Sequence, residues 1–432
     1  MTTSKKINRY KALLLNNKII IIVFAIFLLH LFTRTYQLDI KNPFGYDQVD
    51  NAWASMNIIV NHKFPLLGFQ AKGNSGIYIG PIYYYFISIF YFLTNLNPIA
   101  SGIAAGVTSI FTFLTLFYIT KKLFSINAAL ISVVIYTVGF PSIMFDRIQG
   151  PINFIPSISL IIFYSLYKVI TGKPKYLLLL GIALGFSFHV HLSSIYYILI
   201  ILLMLPFFPK TKETIINAAI SFFVFMLFLT PNIIAFLQNA GNVSQGLGYG
   251  QTSYHGFHLR RVAQLFNDAL IQFEPILAFP ILKPLKFILI PLFIFVYLFK
   301  SLSREKLLFC YLVILYFLVP WLVLSTYSGE ISDYYFAINR FVALLIIAYF
   351  INFVLSTNFL LGKIVIIILI LVYSINGINA LFVYKDVGLY DRENTVRKAI
   401  LEGKEIGFQQ GVPESYIYYY LMRKKRGLRL WN

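Results

Sequence analysis

Runs of about 20 mostly apolar residues recur from Ile19 to Phe382, and they limit the fold more than any other feature of the chain. In hydrocarbon a backbone must satisfy its own N–H and C=O groups, and runs of this length do so as helices rather than as barrel strands. With 432 residues, 59% of them hydrophobic and 12% charged, the chain is too apolar for a water-soluble enzyme of its length. An all-α polytopic membrane protein is expected.

Spans are predicted at 19–36, 99–120, 126–145, 152–171, 176–190, 192–208, 214–236, 283–300, 306–326, 334–356 and 359–382, eleven crossings in all. Lys5, Lys6, Arg9, Lys11 and Lys18 place the amino terminus in the cytoplasm. Lys121 and Lys122, Lys173 and Lys175, Lys210 and Lys212, then Lys300, Arg304 and Lys306, with Lys363, fall on that same side. This phasing requires that Pro81 to Thr94, PIYYYFISIFYFLT, lie in the membrane plane or re-enter, because one more crossing there would invert every later cluster.

The formal net charge of +20 follows from these connections and from contact with anionic membrane lipid, so it does not call for a nucleic acid partner. The basic amino terminus precedes an apolar run with no small-residue cleavage site and reads as an uncleaved anchor. Cys310 is the single cysteine, which rules out an intrachain disulfide and a cysteine metal cluster. We expect a membrane domain over 1–382, external loops at about 37–97 and 238–282, and a short extramembrane tail over 383–432 that ends in the basic stretch LMRKKRGLRLWN.

In a chain with few acids, GYDQVDNAW holds two. Asp47 and Asp50 stand three apart at the start of a predicted helix over 47–61, which puts them on nearly one face. A solvated amphipathic helix on the membrane surface explains that spacing equally well. The same loop continues LLGFQAKGNSGIYIGPIYYY, where glycines admit a ligand close to the backbone and tyrosines offer flat amphipathic walls.

The stretches YDQVDNAWASMNIIVNHKFPLLG and GIYIGPIYYYFISIFYFL resemble the first external loop of GT-C membrane glycosyltransferases related to family 39, a group that includes protein O-mannosyltransferases and the lipid A aminoarabinose transferase. DRIQGPINFIPSISLIIF resembles the family's second external loop and GIALGFSFHVHLSS its Gly-x-x-x-Gly run leading to a histidine; Arg147, Asn153, Pro156, Gly181, Gly185 and His191 fall on the matching positions. The likeness covers about the first 240 residues, then only a hydropathy outline and the YYFAIN stretch. Asp50 and Asn51 replace an arginine and an aspartate common in relatives, and Ile79 replaces a histidine.

The resemblance implies a GT-C bundle of about 11 transmembrane helices that moves a sugar from a polyprenyl-phosphate donor to a hydroxyl acceptor, whether lipid, glycan or protein, on the external side of the cell membrane. Asp47 is then the candidate catalytic base, with Gln48 to orient it and Asp50 near the acceptor. Positive charge for the lipid phosphate is sought at Arg147, at Arg260 and Arg261, and at Arg340, which sits just inside a span. Asp146 reads either as a second site acid or as a helix-end partner of Arg147, and His191, with His189, either as a donor contact or as a packing residue. Glu330 and Asp333 are placed to face the cavity of Arg340 or to be solvated in the loop. No spacing demands a metal, no cofactor is implied with certainty, and a divalent ion stays open. No nucleotide-type phosphate loop occurs. A transporter or flippase of lipid-linked glycans is the alternative, although no internal repeat is seen and the acids cluster in loops. A noncatalytic scaffold would explain the hydropathy but not GYDQVDNAW beside a Gly-Pro-tyrosine run.

Overall fold

The computed structural model describes residues 3–71, 75–254, 256–277, 279–299, 301–385 and 387–430, and among them the architecture is helical with no strand. Lys300, and the side chains of Lys5, Lys6, Arg9 and Lys11, lie outside the described part. The first helix, α1 (Thr3–Thr35), leads to short α2 (Leu38–Lys41) and to the surface helices α3 (Tyr46–Asn61) and α4 (Ile82–Leu93). The bundle continues through α5 (Ala100–Leu123), α6 (Ile126–Val138), α7 (Phe140–Arg147), α8 (Ile155–Ile170), α9 (Tyr176–Ser187), α10 (Ile195–Met204) and α11 (Lys212–Gln238). A loop layer with α12 (Ala240–Ser253) and α13 (Leu259–Ala269) precedes α14 (Lys286–Phe299), α15 (Arg304–Leu324), α16 (Arg340–Ser356) and α17 (Leu360–Val383). The tail forms α18 (Leu389–Leu401) and α19 (Pro413–Lys425).

Among the described residues, 8 helical segments are long and apolar enough to cross a membrane, or up to 9 if α6 and α7, bent by 68°, count as one. This is a multi-pass membrane protein. The eleven expected crossings thus resolve into full-length helices, one broken pair and two short apolar helices, α9 and α10, joined by the turn at His189–His191. The break between α6 and α7 falls at Gly139, whose backbone leaves the helix at ψ 115; a Cβ there would stand 2.2 Å from the Tyr373 hydroxyl.

Ring contacts Phe124–Tyr297, Phe124–Phe309 and Tyr167–Phe309 gather the ends of α5, α8, α14 and α15 at one end of the bundle. The large loops gather at the other. Helix α4 begins and ends in that second layer: Gly80 N–H donates to the Phe188 carbonyl at 3.0 Å, and Tyr416 Oη donates to the Leu96 carbonyl at 3.1 Å. Its 12 residues reach only about 18 Å, too short to span.

The tail is a folded unit. Val49, Ala52, Trp53 and Tyr91 of α3 and α4 share a core with Leu389, Val396, Tyr416, Ile417 and Leu421, distinct from the core of the bundle. Tyr416, Ile417, Tyr420 and Leu421 recur at helical spacing in PESYIYYYLMRKK, so one face of α19 is buried while Lys424 and Lys425 stay exposed.

Candidate active site

Helix α3 starts at Gly45 because Gln48 reaches back: its Oε1 accepts from the Gly45 N–H at 2.9 Å, and its Nε2 donates to the Gln149 carbonyl. Gln149 in turn donates to Tyr83 Oη at 2.6 Å. Gln48 therefore ties the helix start to the loop after α7 and to α4. It does not orient the Asp47 carboxylate, as the sequence had led us to expect.

Asp47 faces a cavity of about 190 Å³ lined with Gln48, Phe69, Gln70, Gln149, Gly150, His191 and Tyr334. No hydrogen bond or ion pair engages its carboxylate among the described residues. Burial first, and the neighbouring Asp50 second, hold the Asp47 carboxyl above the ordinary carboxylate range. Asp50 differs: Tyr84 Oη donates to its Oδ2 at 2.7 Å, and Gln410 Nε2 of the tail lies 3.4 Å from its Oδ1. One wall of the cavity is a short hairpin in which Gly68 N–H donates to Ile79 O at 2.9 Å and Ile79 N–H to Phe69 O at 2.9 Å.

His191 lines both this cavity and a smaller aromatic chamber with Tyr249, Tyr254, Tyr327 and Tyr335. Its Nδ1 accepts from the Ser193 N–H at 3.1 Å, and Tyr334 and Tyr335 pack edge-on against it, each at 5.4 Å. Burial lowers its pKa to about 4, so the ring is neutral near pH 7. His189 is the packing histidine of the pair: its Nε2 sits 2.8 Å from the Phe228 carbonyl. The Gly80-Pro81 motif serves that contact, since a Cβ on Gly80 would stand 1.8 Å from His189 Nδ1.

Asp146 does not pair with Arg147. It forms a buried ion pair with Arg34, Nη2 to Oδ2 at 2.9 Å and Nε to Oδ2 at 3.0 Å, and Arg34 also donates to the carbonyls of Tyr136 and Thr137. Arg147 is 1% exposed and donates to the carbonyls of Thr33 (3.4 Å), Arg34 (3.1 Å) and Lys41 (3.5 Å), closing the end of α1. Its guanidinium is turned to backbone, and it is not among the residues that line the Asp47 cavity.

Arg340 Nε donates to Gln272 Oε1 at 2.9 Å, and the guanidinium lies 3.9 Å over the Phe145 ring. Gln272 also donates to the Asp333 carbonyl at 2.9 Å, so Asp333 meets Arg340 through an amide. Arg260 is exposed on α13. Arg261 donates through Nη2 to Gly329 O at 3.2 Å, while its buried Nε has no partner among the described residues. No cluster of three or more His, Cys, Asp or Glu that would hold a metal forms among the described residues.

Residues 79–234 match the model of the family described as dolichyl-phosphate-mannose-protein mannosyltransferase. The fold is similar to that of ArnT from Cupriavidus metallidurans bound to undecaprenyl phosphate, at 10% identity and TM-score 0.55, covering 94% of this chain and 75% of that one. It is also similar to the oligosaccharyltransferase of Archaeoglobus fulgidus in complex with Zn and sulfate, at 11% identity and TM-score 0.54, covering 93% of this chain and 57% of that one. No curated protein matches the sequence. The broken α6–α7 pair, the α9–α10 hairpin and the Gly-Pro start of α4 all fall within the matched segment; over residues 79–234 the chain is similar to that family, and its helical bundle is similar in fold to both solved structures.

Proposed function

We propose that the chain transfers a sugar from a polyprenyl-phosphate donor to a hydroxyl acceptor on the external face of the membrane, with Asp47 as the general base. The observation that carries this reading is the unpaired Asp47 carboxylate, held at a helix start and opening onto a polar cavity. A base needs an ionised, accessible oxygen within reach of the attacking hydroxyl, and its raised pKa makes it a better proton acceptor than an ordinary carboxylate. Neutral His191 and the cavity amides would position sugar hydroxyls.

Lipid entry has a matching surface. Pro151 and Ile152 line the Asp47 cavity, and Phe154, three residues after Pro151, lines an entirely apolar groove of about 520 Å³ between α4, α5, α8 and α9. Such a groove suits a polyprenyl chain whose phosphate lies near the polar cavity; undecaprenyl phosphate is what the similar ArnT structure holds. The donor phosphate is assigned to Arg261, whose Nη1 makes no hydrogen bond among the described residues, with exposed Arg260 beside it. Arg340, whose Nη atoms make no hydrogen bond among the described residues, is a further guanidinium for that role. The external side is inferred from basic residues such as Lys121, Lys122, Arg304 and Lys306, at the ends of α5 and α15 that meet opposite the loop layer of Asp47.

The deciding experiment incubates the purified full-length protein with a panel of polyprenyl-phosphate sugars and follows release of the polyprenyl phosphate, for the natural chain and for Asp47→Asn. Release by the natural chain and loss in the variant is the expected result. Equal release by both would remove Asp47 from the chemistry, and no release with any donor would remove the donor class.

A further inference from the structure

Trp53, on the side of α3 away from Gln48, opens onto a second cavity of about 420 Å³ between α3 and the tail, lined by Trp53, Glu405, Phe408, Tyr418, Arg423 and Arg426 among others. The Arg423 guanidinium on that cavity makes no side-chain hydrogen bond or ion pair among the described residues. A guanidinium without a counter-ion on a cavity wall suits a ligand that carries an anionic group. Phe408 packs edge-on to Trp53 at 5.0 Å and Tyr419 tilts against it at 5.3 Å, giving the cavity flat apolar walls. Exposed Arg426 adds a second guanidinium and Glu405 an acceptor for hydroxyl protons.

From this combination we infer that the tail cavity is a binding subsite for an anionic saccharide, a sugar carrying a phosphate or a carboxylate. Ring walls take the apolar faces of the sugar, Glu405 takes its hydroxyls, and the two arginines take the anion. The volume lies within the roughly 300–1,000 Å³ of small-ligand sites. The segment carrying Glu405 and Phe408 continues to Gln410, 3.4 Å from Asp50, and to Gly411, which packs on the Tyr46 ring at the start of α3. The subsite therefore joins the transfer site along one helix, and its occupant is part of the acceptor, an assignment that rests on the function proposed above.

The test is binding rather than turnover, so it stands apart from that function. The full chain in lipid nanodiscs is titrated with glucose 6-phosphate, glucuronate, glucose and inorganic phosphate, read by saturation-transfer NMR. Saturable binding of either anionic sugar, tighter than glucose and than inorganic phosphate, is expected; the tighter of the two identifies the anion. Arg423→Gln and the exposed Arg426→Gln should each weaken it about tenfold, the loss of one charge-assisted hydrogen bond. Trp53→Phe, which keeps the ring, should weaken it less. Binding should persist unchanged in Asp47→Asn, and its loss there would move the sugar to the other cavity and overturn the subsite. Absence of saturable binding, equal binding of glucose, equal binding of inorganic phosphate, or indifference to both arginine variants would each overturn it as well.

Discussion

Tyr84 donates its hydroxyl proton to Asp50 Oδ2 across 2.7 Å, so of the two acids on α3 one is bound to the neighbouring helix and the other, Asp47, has no partner for its carboxylate among the described residues. Sequence spacing treats the pair as equals. The packing of α4 against α3 separates them.

Asp47→Asn should lower sugar transfer by about 10²–10⁴-fold, the usual effect of removing a general base, while the protein remains folded and inserted. Asp50→Asn should keep much more activity. It weakens the Tyr84 and Gln410 contacts, so its expected mark is a lower unfolding temperature of the α3–tail unit. Turnover and thermal unfolding measured on both variants separate the roles, and a dead Asp50 variant beside an active Asp47 variant would exchange them.

The raised pKa of Asp47 has two consequences of opposite sign. Transfer requires the ionised base, so activity should fall on the acid side through a pKa above the ordinary value of about 3.9. Stability runs the other way. An acid whose folded-state pKa exceeds its unfolded one contributes fully below the unfolded value, and that contribution is lost as pH rises through the folded value. Asp47→Asn should therefore raise the unfolding temperature near neutral pH and leave it unchanged at about pH 3. A variant less stable at neutral pH would show that the carboxylate is paired after all.

Arg34 and Asp146 form the most deeply buried ion pair among the described residues, with side chains 1% and 4% exposed. Removing one partner strands the other, at a typical cost of about 3–5 kcal/mol. Arg34→Met and Asp146→Leu should each sharply reduce folded yield and unfolding temperature in detergent, and the double replacement should recover much of the loss. If the double variant were no better than the singles, the pair's carbonyl contacts to Tyr136 and Thr137 would be the dominant contribution.

Much of the bundle was legible because hydrocarbon demands long apolar helices, and the basic connections fixed which ends lie together. The short helices were less so: twelve apolar residues in α4 and in α9 look alike, yet one lies within the loop layer and the other forms half of a hairpin. Gln48 was misread because its partner, the Gln149 carbonyl, is a hundred residues away and no local spacing reveals it. Arg34 was missed, although a signal existed: it is an arginine inside the first predicted span, where a charge is costly unless it finds a partner. The folded tail left a trace too, in the Tyr416, Ile417, Tyr420, Leu421 spacing that the basic stretch after it obscured.

The arginines proposed for the lipid phosphate divide by what they already hold. Arg147 is buried and its donors point at three backbone carbonyls, so Arg147→Gln should lower stability by loosening the end of α1, with donor affinity changed little in whatever folds. Arg261 spends Nη2 on Gly329 and leaves Nη1 without a partner among the described residues. Arg261→Gln should leave the unfolding temperature nearly unchanged and weaken the lipid-phosphate donor by about tenfold or more, the loss of a charge-assisted contact. Lysine at 261 should restore only part of the affinity, since it keeps the charge but lacks the planar fork. Donor concentration dependence, measured beside thermal unfolding for the three variants, decides the assignment: an Arg261→Gln protein with natural donor affinity would leave Arg260 or Arg340 to hold the phosphate.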